Sequence, residues 1–155
     1  MIGRTHGFSL IELVLVIVLL SIVATTASLR MGNSNTSLGA QAEQLASDIR
    51  YTQSLSQTRG QRHCISFTAS SYTITNNNCV TAVALPSSPN PVLLAGNITL
   101  AWTNNLITFS ALGRPFTDAA ATTALGPAAA VLTLSAGGDT LTVTVTPETG
   151  RVTVP

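Results

Sequence analysis

The chain contains no lysine, and charged residues are only 8% of its 155 positions, against about a quarter in ordinary soluble domains. All seven basic residues are arginines, the acids number six, and the formal net charge is +1. So thin a basic set excludes a conventional nucleic-acid binder, which needs a concentrated positive patch. Without lysine there is no glycine loop closed by a lysine for binding phosphate. Cysteine is nearly absent too. Cys64 and Cys79 are too few for a disulfide scaffold and lack companions for a zinc site. Aromatics reach only 5%, yet hydrophobic residues make up 45%, which excludes a disordered chain. The polar remainder is mostly Ser, Thr, Asn and Gln. That composition points to an exported, β-rich chain tethered to a membrane, with no catalytic apparatus.

The tether is legible at the N-terminus. Residues 1–7 are short and polar, with a positive charge at Arg4. From Phe8 the chain turns apolar, and Leu13 to Leu20 is an unbroken aliphatic run. Phe8 to Ala24 as a helix, at about 1.5 Å per residue, is near the lower limit for spanning a bilayer. A positive charge before the apolar stretch places the leader in the cytoplasm. A transmembrane anchor, a secretory signal peptide and a leader trimmed only at its polar end all fit this outline. Glu12 discriminates among them. A carboxylate inside an apolar run costs roughly 2.5–3.5 kcal/mol if placed centrally, and less near the interface. An ordinary signal peptide has no use for it, although Thr25-Thr26-Ala27 loosely imitates a small-residue cleavage site.

Gly7-Phe8-Ser9-Leu10-Ile11-Glu12-Leu13-Val14 resembles the cleavage and methylation motif of type IV prepilins and type II secretion pseudopilins. In that family a prepilin peptidase cuts after the glycine and methylates the new N-terminal residue. The resemblance implies Gly7 as the last leader residue and Phe8 as the N-methylated mature terminus. Glu12 would pair with a neighbouring subunit's N-terminal amine during assembly. The physical logic agrees, because an α-amino cation and a carboxylate are each costly alone in lipid and neutralise one another between staggered subunits. Two positions depart from the family: Ser21 stands where many pilins have Gly, and Leu29 where they have Pro. Ser and Leu are better helix formers, so Gly32-Asn33-Ser34-Asn35 is the alternative hinge.

Beyond the anchor, Leu38, Ala42, Leu45 and Ile49 recur at helical spacing, opposite a polar face of Gln41, Glu43, Gln44, Asp48 and Arg50. This helix should stop near Gly60. The pattern then becomes β. Ile65 and Phe67 alternate with Cys64, Ser66 and Thr68, and Tyr72 and Ile74 follow a turn at Ser70-Ser71. Asn97–Trp102 and Leu106–Ser110 flank Asn104-Asn105, a hairpin-like signal. Val131–Ser135 and Leu141–Thr146 flank Gly137-Gly138-Asp139. Pro147–Gly150 turns into a last strand, Arg151–Val154. About six or seven antiparallel strands result, with Ala82–Ala95 and Thr117–Ala128 as loops. Thr142, Thr144 and Thr146 read as a solvated sheet face, and Trp102 and Phe109 as core. The expected fold is α+β: a long N-terminal helix, part anchor and part amphipathic, packed on a C-terminal antiparallel β-sheet head. Its segments are a cleaved leader (1–7), the anchor and assembly helix (8–30), an amphipathic helix (31–60) and the β head (61–155).

The head sharpens the resemblance. Arg50-Tyr51-Thr52-Gln53, Phe109-Ser110-Ala111-Leu112-Gly113-Arg114-Pro115 and Glu148-Thr149-Gly150-Arg151 look like minor pilins of the mannose-sensitive haemagglutinin type IV pilus. They are also similar to H-type pseudopilins of type II secretion. The implied role is structural, as filament initiation, capping or modulation. The implied partners are prepilin peptidase, other pilin or pseudopilin subunits and the inner membrane, with the head in the periplasm. A DNA-capturing pilin would need several basic residues near one loop or tail, and this tail offers Arg151 alone, so no nucleic acid is expected. No catalytic, cofactor-binding or metal-binding residues are assigned. His63-Cys64 is not a thiol dyad, because consecutive strand residues point to opposite faces. The sequon-like Asn35-Thr36-Ser37 and Asn97-Ile98-Thr99 carry little information. Cys64 and Cys79 flank the first two strands, and an even pair in an exported chain forms one disulfide; two buried thiols are the alternative.

Overall fold

The computed structural model describes the backbone of residues 10–30, 34–86, 88–102 and 105–155, and their side chains except those of 22–30 and 34–36. The chain divides into two units, Met1–Asn33 and Ser34–Pro155. In the first, helix α1 spans Leu10–Arg30 with Glu12 in its first turn. Ser21 and Leu29 are both helical, and the Ser21 hydroxyl donates to the Val18 carbonyl at 2.8 Å. Good helix formers at these two positions keep the hydrogen-bond ladder running. Of the hinge suggested at 32–35, Gly32 and Asn33 lie outside the described residues. Ser34 and Asn35 already belong to the next helix.

In the second unit α2 (Ser34–Arg59) packs on two antiparallel sheets. The predicted face is buried: Leu38, Ala42, Leu45 and Ile49 are at most 1% exposed. The face also runs further than the apolar pattern showed, through Thr52 and Ser56, both fully buried. Their hydroxyls donate to carbonyls one turn back, Thr52 to Asp48 at 2.7 Å and Ser56 to Thr52 at 2.9 Å. Self-satisfied in this way, small polar residues enter a core without an unpaired donor. The helix ends at Arg59, immediately before Gly60, as its stop signal indicated.

The first sheet has the order β3-β2-β1-β5-β6 and the second β4-β7-β8-β9. The strands are β1 (His63–Phe67), β2 (Ser71–Thr75), β3 (Val92–Leu93), β4 (Thr99–Ala101), β5 (Leu106–Phe109), β6 (Pro115–Phe116), β7 (Ala130–Ala136), β8 (Asp139–Val145) and β9 (Val152–Thr153). The β7–β8 hairpin is the one foreseen. Gly137 and Gly138 take φ of 59° and 96°, the positive pair that a tight two-residue hairpin with right-handed strand twist requires. The pairing expected around Asn104-Asn105 is different. β4 pairs with β7, whereas β5 pairs with β1 and β6, so this connection crosses from one sheet to the other. Asn104 lies outside the described residues, and Asn105 has φ 55°. A local turn signal reports that the chain bends; which strands then pair is decided by which faces are apolar.

β3 and β6 are two-residue edge strands inside or beside stretches read as loops. The edge of β2 is filled in pieces. β3 pairs with Ser71 and Tyr72, and Ala82 bridges Thr75. Between them the Asn90 amide donates to the carbonyls of Ile74 (2.6 Å) and Val83 (2.7 Å) and accepts from the Ile74 amide (3.1 Å). One side chain thus partners the Ile74 amide and shares the Ile74 carbonyl with the Val83 amide, which donates to it at 3.0 Å.

Candidate functional site: N-terminal motif, disulfide and head seam

Gly7 and Phe8, the expected cleavage and methylation positions, lie outside the described residues. Glu12 sits in the first turn of α1, where the positive end of the helix dipole favours a carboxylate. Its side chain is exposed, and so are those of Leu10 to Leu20, at 45–80% for the large apolar ones. Among the described residues no helix is long and apolar enough to cross a membrane; the described side chains of α1 end at Ser21.

Cys64 and Cys79 form a disulfide with Cα atoms 5.3 Å apart. The thiol alternative therefore falls. Cys64 is fully buried between Thr75 and Thr108 across the first sheet. The Cys79 segment and the loop around Ala119–Ala120 cover it. Cys79 Sγ lies 3.8 Å from the Ala119 carbonyl, and Arg62 donates to the Ala120 carbonyl and to Asn77 Oδ1 (3.1 Å). Alternation read the strand correctly, but only long-range loop packing decides that its polar face is roofed.

His63, next along the strand, faces the other way, as alternation demanded. It is buried against α2, with Nδ1 3.4 Å from Ser56 Oγ and 3.2 Å from the Gln61 carbonyl oxygen. Burial pushes its imidazole below the ordinary value; the Gln61 carbonyl opposes this, and the nearby Arg59 charge adds to it. Asp48, on the flank of α2, accepts the Tyr72 hydroxyl at 2.6 Å. Burial raises its pKa, partly offset by that hydrogen bond. Asp118 is pulled down to about 2, chiefly by the Thr123 amide it accepts. These are structural polar contacts. Among the described residues no group of three or more His, Cys, Asp or Glu side chains is placed to hold a metal ion.

The three head motifs, far apart in the chain, meet at one seam. Gln53 Nε2 on α2 donates to the carbonyl of Gly113 (2.9 Å) in the β5–β6 turn and to that of Thr149 (2.7 Å) in the β8–β9 turn. One amide therefore joins the helix to both sheets. Arg50 donates to the Val152 carbonyl at 3.0 Å, and Arg114 pairs with Glu148. Gly150 lies at the centre with φ 65°. A Cβ there would come within 2.6 Å of Gln53 Nε2 and 2.9 Å of both the Gly113 oxygen and the Phe109 ring. The sequence pattern showed that these motifs matter together, but not that Gln53 is the link. A lone amide one turn past an apolar face was the only signal available. Phe109 is fully buried, and Trp102 is half-buried with its ring edge-on to Phe67, centroids 5.5 Å apart.

Comparison with known proteins agrees with this geometry. Residues 2–28 match the prokaryotic N-terminal methylation motif, and residues 41–150 match the family described as type II transport protein GspH. No curated protein matches the chain. Two crystal forms of the type IV minor pilin FimU of Pseudomonas aeruginosa share the fold. The P21 form has a TM-score of 0.58 at 15% identity and covers 78% of this chain and 90% of its own. The P65 form has a TM-score of 0.50, again at 15% identity, and covers 76% and 92%. The GspH match takes in more than half of the chain and the first two motifs of the seam, with the third as far as Gly150, behind a methylation motif. The chain therefore belongs to the GspH family, within the type IV pilin and pseudopilin superfamily.

Proposed function

We propose that this chain is a structural minor pilin that initiates, caps or modulates a thin type IV pilus filament and catalyses nothing. The observation that carries the reading is the order of two features on one chain: a cleavage and methylation motif, then a pilin-type head. Prepilin peptidase cuts between Gly7 and Phe8 and methylates Phe8. The 8–30 segment holds the subunit in the inner membrane with the head in the periplasm. During assembly Glu12 accepts the N-terminal amine of a neighbouring subunit, so that two groups costly in lipid neutralise each other. The exposed apolar side chains of α1 fit this role, since nothing within the described residues covers them. Mass spectrometry of the N-terminal peptide from the native host tests it. N-methyl-Phe8 is the expected terminus; an intact leader, or a terminus near Ser28, overturns the reading.

A second reading is supported by the family description itself: an H-type pseudopilin of a type II secretion system. Deleting the gene separates the two. Loss of surface pili with secretion intact supports the pilus, of which the mannose-sensitive haemagglutinin type is the member the head motifs resemble. Loss of exoprotein secretion with pili intact supports the pseudopilus.

A further inference from the structure

Between Arg62 and Arg114 no Arg, Lys, Asp or Glu occurs, and this uncharged stretch holds β1 to β5 in full. Within it β3 forms one edge of the first sheet. Its register sets Val92 opposite Tyr72 and Leu93 opposite Ser71, and the Leu94 amide donates to the Ser70 carbonyl at 2.9 Å. Hydrogen-bonded and non-hydrogen-bonded pairs alternate along an antiparallel ladder. Val92 and Leu94 therefore turn their backbone groups toward β2, and the N–H and C=O of Leu93 point outward. Among the described residues no strand lies on that side, and the Leu93 side chain is 70% exposed. Sheet edges are commonly guarded by charged side chains; this strand and the loops beside it have none. Next to the edge the loop from Ala82 to Asn90 bounds an open cavity of about 380 Å³, lined by Val83, Ala84, Leu85 and Pro89 together with Ser88. Val83 and Asn90 bond the backbone of Ile74, the next outward-facing residue of β2 after Tyr72, so the cavity continues the line of β3. Ser88 Oγ is buried there without a hydrogen-bond partner, which leaves a hydroxyl for an incoming group to bond.

We propose that this edge receives an extended, uncharged segment of another protein, which adds a strand beside β3 and seats an aliphatic side chain in the cavity. In this mode main-chain hydrogen bonds hold the segment and a pocket selects its side chain. The incoming backbone pairs with the N–H and C=O of Leu93. Asn90 precedes Leu93 by three positions, about 10 Å in extended chain, so one short segment reaches both the edge and the cavity. A two-residue strand offers a single open rung, and the selectivity therefore lies in the cavity. A charged segment would lose its water opposite loops that hold no countercharge, which favours a neutral one. The inference does not depend on whether the filament is a pilus or a pseudopilus.

The test titrates a capped, fluorescently labelled hexapeptide of alternating threonine and valine into the full-length protein in detergent micelles. Saturable binding is the expected result. N-methylation of the peptide amides should weaken it about tenfold or more, because the outward groups of Leu93 then lose their bonds. Leu93→Lys should weaken it by a similar factor, since a charge guards the edge, and the exposed site leaves the melting temperature of the head unchanged. Ser88→Ala should also weaken binding, while the melting temperature stays level or rises, because the hydroxyl bonds nothing in the free protein. Absence of saturable binding to the wild-type protein overturns the proposal. Equal affinity for the N-methylated peptide, or equal affinity of Leu93→Lys, overturns strand addition at this edge. Disulfide-linked dimers of Leu93→Cys formed without peptide would assign the edge to a second copy, and overturn the proposal as well.

Discussion

The two helices both carry leucine and isoleucine, densely in α1 and sparsely in α2, and put them to opposite use. From Leu10 to Leu20, α1 leaves every large apolar side chain at least 45% exposed, whereas α2 buries Leu38, Leu45 and Ile49 at 1% or less. α1 is apolar nearly all round, so no single sheet could cover it. α2 confines its apolar residues to one stripe and is covered by its own chain. The contrast teaches where each helix gets its stability. α2 is held by the head, whereas α1 depends on an environment that other molecules must supply, either lipid or neighbouring subunits.

The widest gap between the two regions should appear on Glu12→Val. Leaving a neighbour's amine without its carboxylate in an apolar setting costs about 3–5 kcal/mol. Incorporation into filaments should therefore fall by about 100-fold or more, as read by immunoblot of sheared filaments. The melting temperature of the head should not move. Equal incorporation of variant and wild type would remove the assembly role of Glu12.

A matched pair of truncations sharpens the same comparison. Leu45→Ala should cost the head about 2–5 kcal/mol, the usual range for a buried leucine that leaves a cavity. Leu15→Ala removes the same atoms from an exposed site, and head stability in urea unfolding should stay within about 0.5 kcal/mol of wild type. A head destabilised equally by both would mean that α1 belongs to its core.

Breaking the disulfide should come next. With a sequence separation of 15, closing the loop constrains the unfolded chain by about 3 kcal/mol in the entropy model. Cys64→Ser should lower head stability by about that much and reduce subunit abundance, with the anchor still inserted. Thiol labelling of the denatured, non-reduced wild-type protein should find no free cysteine.

The smallest effect is that of pH, and it too should be confined to the head. The pKa of His63 is depressed below 6.5 in the folded state, so on acidification the unfolded chain binds the proton first. The stability this contributes is complete above about 6.5 and is lost as pH falls from there toward the folded-state value. One proton limits the slope to about 1.4 kcal/mol per pH unit. The raised Asp48 acts with the opposite sign, its contribution declining as pH rises above 3.8. His63→Gln should therefore flatten the dependence of the melting temperature as pH falls below about 6.5. An unchanged slope would mean that His63 carries no proton linkage.

Local patterns made much of this legible. Period and capping placed the core face and the end of α2, paired glycines placed the β7–β8 turn, and charge in an apolar run marked Glu12. Each depends on residues close together in sequence. The strand exchange after Trp102, the two short edge strands and the roof over Cys64 were not legible. They depend on which surfaces meet across the fold, and a bend or a polar alternation is compatible with several pairings.

The sequence by itself determined the methylation motif, the α+β division and the residue types that must come together in the head. Those follow from hydrophobic periodicity and from the chemistry of a single unusual carboxylate. Only the tertiary structure decided how they come together. It set Gln53 across Gly113 and Thr149, pressed Gly150 against Phe109 and joined Cys64 to Cys79. Contacts between segments separated by 60 to 96 positions have no local signal. They exist because one helix stripe must be covered by two sheets at once, which brings both turn carbonyls within reach of one amide.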